Sequence, residues 1–179
     1  MRNIVYLSAI ILLGTSFIAC NEENRKAKNY NEKTLVDDKG LVFIKTANEA
    51  SLAEIKSATL AQSKSQNPRV INFAKMMIAD HTAAGNELQK LADNKDVTHN
   101  DNVISKEHQQ MINNLTKLNG LQFDKAYMGM MVTDHVKTID NFKSITRNTS
   151  KNLVDFSEKT LPKLTMHLDS AKAINASLK

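Results

Sequence analysis

Residues 67–94 read NPRVINFAKMMIADHTAAGNELQKLADN, and the punctuation of this stretch decides the fold. Asn67 can cap a helix, and Pro68 takes the first turn, where its missing N–H has no intrahelical partner to lose. Beyond the proline, Phe73, Met77, Ala84, Leu88 and Leu91 fall on one stripe at ~100° per residue. The spacing predicts a helix to about Asn94 with one apolar face. Such a face has to be covered by neighbours of the same kind, so the flanking sequence is read for them.

Upstream, Asp37 and Asp38 can cap a first helix running to about Gln66. Downstream, residues 95–104, KDVTHNDNVI, are polar and aperiodic and predict a loop. Ser105 then caps a shorter helix that weakens at Asn119-Gly120, and a long helix spans about 121–147. Asn148, Thr149 and Ser150 close it and cap a last helix over about 151–178. There Leu153, Thr160, Leu164, Ala171 and Leu178 form the stripe. Pro162 is expected to kink that helix, because it removes one hydrogen bond to the preceding turn. The chain holds 5 Gly and 2 Pro in 179 residues and no alternating β-branched run, so strands are not expected. Four long helices with short first and last connections predict an all-α, up-down four-helix bundle, with an extra short helix between the second and third long ones. Trp is absent and aromatics are 5%, so Leu, Ile, Ala and Met must fill the core.

Against this apolar background the polar residues stand out. MMIADH at 76–81 returns as MMVTDH at 130–135, in a chain with 5 His. The doublets Asp80-His81 and Asp134-His135 flank apolar stripes, and His167 lies within the stripe of the last helix, between Leu164 and Ala171. In the first helix Ala47, Ala50, Glu54, Ala58 and Ala61 make a small-residue seam with one carboxylate in its middle. Measured from the turn at Asn67, Glu54 and His81 both lie ~20 Å along their helices. From the turn near Thr149, His135 lies ~21 Å back and His167 ~27 Å forward, about one helical turn apart. Glu54, His81, His135 and His167 are therefore candidates for one mid-height site, with Asp80 and Asp134 orienting neighbouring groups.

Three chemistries fit these residues. Three imidazoles and a carboxylate suit one transition-metal ion: Zn, Fe, Mn or Cu(II). The pairs Met77/His81 and Met131/His135 would suit Cu(I) or haem, although no Cys-x-x-Cys-His attachment motif is present. Alternatively, the acid and the histidines satisfy one another as a buried hydrogen-bond network while Met fills core gaps. His99 in the loop and His108 beside Glu107 are expected to be solvated, and Glu87, level with Glu49, to pair with surface Lys. No Ser-His-Asp or phosphate-binding motif is visible, and no catalytic residue is assigned.

The N-terminus carries an address. MRNIVYLSAIILLGTSFIAC has one early Arg2 and an apolar run from Ile4 to Ile18, the layout of a secretory signal over residues 1–19 and too short to span a bilayer that asks for ~20 residues. Its end, FIAC, resembles a bacterial lipobox, which implies that Cys20, the 1 cysteine present, is lipidated and becomes the mature N-terminus. The polar stretch NEENRKAKNYNEKTLV then makes residues 20–36 a tether, and 37–179 the domain. Net charge is +5, about +4 without Arg2. With basic residues scattered and no aromatic platform, nucleic acid is not expected as a partner. The expected partner is a membrane, reached through the lipid. No protein partner can be read.

The segments LAEIKSATLAQSKSQNPRVINFAKMMIADHTAAGNEL, EHQQMINNLTKLNGLQFDKAYMGMMVTDH and KTLPKLTMHLDSAK together resemble a ferritin-like helical domain of unknown function found in bacterial outer-membrane and periplasmic proteins. The resemblance implies a ferritin-like bundle with Glu54, His81, His135 and His167 on the family's recurrent polar positions, and an outer-membrane lipoprotein facing periplasm or cell surface. Neither Asp-His doublet is the Glu-x-x-His of di-iron bundles, so ferroxidase activity does not follow from the fold. The reading is thus a lipid-anchored binding or stress-related accessory protein holding a metal ion. The rival is a metal-dependent, non-haem oxidoreductase or a copper- or haem-binding protein.

Overall fold

The computed structural model describes residues 36–93, 103–148 and 150–179. The expected signal, Cys20, the tether through residue 35 and His99 lie outside them. Among the described residues there are five helices and no strand: α1 (Asp38–Lys64), α2 (Pro68–Asp93), α3 (Lys106–Thr116), α4 (Gly120–Ile145) and α5 (Lys151–Ser177). None is long and apolar enough to cross a membrane.

The helix starts follow from local chemistry. Asp37 Oδ1 accepts from the Gly40 N–H at 2.7 Å, Asn67 Oδ1 from Arg69 N–H at 2.9 Å, and Ser105 Oγ from His108 N–H at 3.1 Å, each satisfying a donor that the first turn leaves open. Ser150, expected to cap α5, makes no such side-chain bond. Asn148 takes over the corner instead: its Oδ1 accepts from Ser150 N–H at 2.8 Å, and its Nδ2 donates to Asp37 at 2.8 Å, tying the start of α5 to the start of α1. Gly120 has φ +52°, a left-handed backbone that glycine adopts without a Cβ penalty, which lets the chain reverse between α3 and α4. α5 continues as helix through Pro162.

The four long helices close a ring of contacts. α1 packs on α2 and α4, α5 packs on the same two, and α3 lies across α1 and α4. Inside the ring the apolar core falls into two clusters. One holds Phe73, Met77, Phe123, Tyr127 and Met131 with Ala53, Ala58 and Ala61 of α1. The other holds Phe43, Phe142, Phe156, Leu153 and Leu164, with Phe43 and Phe142 edge-to-face at 4.9 Å. Gly40 lets α1 and α5 approach at that second end, since a Cβ there would stand 2.8 Å from Leu153 Cδ1. What separates the two clusters is polar.

A candidate metal centre at mid-height

Each long helix contributes one polar side chain to the interior: Glu54 from α1, His81 from α2, His135 from α4 and His167 from α5. All are buried, with exposures of 1%, 4%, 0% and 1%. The imidazoles gather closely, His81 to His135 at 5.7 Å between ring centres, His81 to His167 at 5.4 Å and His135 to His167 at 5.4 Å. A buried charge or polar group is tolerated only with partners, and the partners here determine where the protons sit.

His135 Nδ1 is 2.9 Å from the Met131 carbonyl oxygen. A carbonyl can only accept, so Nδ1 carries the hydrogen and Nε2 presents a lone pair. His167 Nε2 is 3.0 Å from Asp80 Oδ2, and Lys163 Nζ donates to the other Asp80 oxygen at 2.7 Å. Against partial burial, Lys163 and His167 hold the Asp80 carboxyl below its ordinary value. It is therefore an acceptor, and His167 Nε2 donates to it. Burial, with help from His81 and His135, pushes the His167 imidazole down to about 4 despite Asp80. The ring is neutral at physiological pH, and its Nδ1 presents a lone pair.

Those two lone-pair nitrogens, His135 Nε2 and His167 Nδ1, face each other at 3.4 Å. Two acceptors at that separation repel unless a proton or a cation stands between them. Zinc–imidazole bonds of ~2.0–2.1 Å at a tetrahedral angle place two nitrogens roughly 3.3–3.4 Å apart, so the spacing is that of one edge of a tetrahedral site. With His81 included, one nitrogen of each ring lies within 4.8 Å of the other two.

Glu54 stands on the outer side of this set. Its Oε2 is 2.9 Å from His81 Nδ1, and its Oε1 is 3.4 Å from His135 Nδ1, whose hydrogen is directed to Met131. These are charge contacts: neither oxygen takes a well-aimed hydrogen bond, and His81 Nε2 has no partner either. Burial would raise the Glu54 carboxyl, but His81, then His135 and His167, overcome it and draw it to about 2. Reciprocally, burial depresses His81 and Glu54 more than restores it, so that ring is raised. A fully buried carboxylate without a hydrogen bond is rare in folded proteins. Beside Glu54, His81 and His167 lies a hollow of about 20 Å³, space for about one water-sized ligand.

Asp134 is not in this group, although its doublet repeats that of Asp80. It faces α3, where its Oδ2 is 3.7 Å from His108 Nε2, an ion-pair distance longer than a hydrogen bond, and both its buried oxygens lack hydrogen bonds. His108, expected in solvent, is partly buried: its Nδ1 lies 2.7 Å from Glu49 Oε1, which also accepts from Ser105 N–H at 2.7 Å. The cause is the docking of α3 across α1 and α4. Asp134 first and Glu49 as well, against burial, raise His108 to about 9. Glu87, by contrast, pairs with Lys159 on the surface at 2.8 Å. Met77 and Met131 are fully buried within the apolar cluster. One further group escaped the sequence reading. Tyr127 is fully buried with an unpartnered hydroxyl, and burial, with the Glu54 charge added, drives its ionisation far upward. Its signal was the every-fourth spacing of Phe123, Tyr127, Met131 and His135 on one face of α4.

Helices and site together define an all-α domain with a three-histidine cluster set in its buried interior. The chain belongs to the family described as a domain of unknown function, DUF4142, whose pattern matches residues 25–174. Comparison with curated proteins and with solved structures found no match.

Proposed function

We propose that this is a ferritin-like four-helix bundle, with α3 as an added short helix, that binds one transition-metal ion through His81, His135 and His167. Zn(II) is the first choice, with Fe, Mn and Cu(II) as competitors for the same donors. The observation that carries the reading is the 3.4 Å approach of two lone-pair nitrogens, each fixed by a donor bond from the other side of its ring. That is how ligand imidazoles are oriented by carbonyls and carboxylates in metal sites. Glu54 supplies the neutralising charge, either as fourth ligand or by holding His81. The single-water hollow gives the bound ion one solvent position, as in sites that act on a ligand. An oxidoreductase is therefore the second reading.

The address is part of the proposal. FIAC at residues 17–20 and the polar run behind it support acylation of Cys20 and a bacterial outer-membrane lipoprotein facing periplasm or surface. Feeding cells a clickable fatty acid should label wild type and leave Cys20→Ser dark; equal labelling rejects the anchor.

Metal binding is tested by elemental analysis and Co(II) titration of the purified chain. One equivalent is expected in wild type, with affinity lowered at least ~100-fold in His135→Ala, beyond the ~10–100-fold that loss of an orienting partner alone costs. A wild type that binds no Co(II) or Zn(II) above background rejects the site and leaves a hydrogen-bond network that fixes helix register.

A further inference from the structure

A second cavity reaches the same carboxylate from the side. It is a cleft of about 280 Å³, lined among others by Glu49, Glu54, His108, Asp134, Lys137 and Thr138. Glu54 and Thr138 also line the 20 Å³ hollow at the histidines. Along the helix axis the way is closed by the two apolar clusters, one on each side of the polar layer. The cleft thus abuts the histidine layer laterally, with Glu54 shared by the two spaces.

We infer that this cleft is a port for divalent cations, in which Asp134 and Glu49 receive the hydrated ion and Glu54 passes it to the histidines; the inference rests on the metal reading above. Size separates the two stages. The cleft has room for an ion with its first hydration shell, whereas the hollow, at ~10–15 Å³ needed per water, has room for about one. An ion crossing from one to the other must shed water, and carboxylate oxygens are the ligands that replace it. Charge favours the cation: three carboxylates, Glu49, Glu54 and Asp134, meet two raised imidazoles, His108 inside the cleft and His81 behind Glu54 at 2.9 Å, while Lys137 and Glu107 pair at 3.5 Å at its exposed rim. Independent of that balance, both Asp134 oxygens and both Glu54 oxygens are buried without hydrogen bonds. Those four acceptors are open to a ligand that donates or carries positive charge. His108 lies between Glu49 and Asp134 and has to yield to the ion, by moving aside or giving up its proton.

The test is the rate of Co(II) uptake by the chelator-treated full-length chain, followed by stopped-flow absorption. Glu49→Gln combined with Asp134→Asn should load at least tenfold more slowly and still reach the wild-type equivalent of bound Co(II). Uptake should also lose much of its dependence on salt. Asp155→Asn, a surface acid paired with Lys151, should load at the wild-type rate. Should the double variant fail to fold by circular dichroism, Glu49→Gln alone serves, since its amide oxygen still accepts from Ser105 and His108, and a several-fold slowing is expected. Uptake at the wild-type rate in these variants overturns the port while leaving the histidine site intact. A wild type that takes up no Co(II) overturns both, and so is distinguishable.

Discussion

The molecule holds two histidine–carboxylate clusters a few side chains apart, and they put the imidazole to opposite uses. At mid-height, burial holds the His167 imidazole down at about 4, with its Nε2 hydrogen given to Asp80 and its Nδ1 facing His135 Nε2 at 3.4 Å. Under α3, His108 stands between Glu49 and Asp134 and is held as a cation, raised to about 9. The difference does not lie in the residue types. It lies in how deeply each ring is buried and how many carboxylates it meets: His167 is buried beside two other imidazoles and meets Asp80 alone, whereas half-buried His108 stands between two carboxylates. The first arrangement gathers three ring nitrogens within 4.8 Å of one another, and the second does not.

The clusters should therefore respond to pH with opposite sign, and the largest effect belongs to the inner one. His167 has a folded value of about 4 against ~6.5 in an unfolded chain. As pH falls through that interval the unfolded state takes up the proton first, so stability present above pH 6.5 is lost toward pH 4. At ~1.4 kcal/mol per pH unit this reaches roughly 3 kcal/mol. Urea unfolding of chelated protein at pH 6.5 and 4.5 should show most of it, with a flattened slope in His167→Gln. An unchanged slope in that variant would assign the acid sensitivity elsewhere.

The outer cluster predicts the reverse limb. His108 is raised, so its contribution is complete below pH 6.5 and disappears as pH rises through about 9. Because its cleft is open to solvent, about 1 kcal/mol is the expected size. His81 is raised as well and gives the same sign, so the diagnostic quantity is the part of the alkaline loss that His108→Gln removes. If that variant keeps the whole limb, the contrast between the clusters fails on this side. The smallest effect calibrates both: Lys159→Ala, which frees Glu87 on the surface, should change unfolding free energy by no more than about 0.5 kcal/mol at any of these pH values.

Which parts of this were readable in the sequence follows from distance along the chain. Helix extents were legible because Asp37, Asn67-Pro68, Ser105 and Asn119-Gly120 mark ends by local chemistry. The common height of Glu54, His81, His135 and His167 could be counted because short turns set the register of adjacent helices. The pairing of His108 with Glu49 could not be counted. It depends on how α3 lies across α1, and the loop at 95–104 carries no register. Asp134 was hidden differently. Repetition of the Asp-His doublet implied that it serves as Asp80 does. Yet the helix beside each doublet differs, so Asp80 meets Lys163 and His167 while Asp134 meets His108. The cap at Ser150 failed for a related reason, since Asn148 two residues earlier reaches both Ser150 and Asp37.

The buried tyrosine has an optical consequence. With no Trp in the chain and 3 Tyr, two of them, Tyr6 and Tyr30, ahead of Asp38, Tyr127 is the one tyrosine among the described residues and outshines the weakly emitting Phe side chains around it. Its phenol feels the Glu54 charge and is shielded from water. Its emission lifetime thus reads the electrical state of the interior without any attached dye, against a background from Tyr6 and Tyr30.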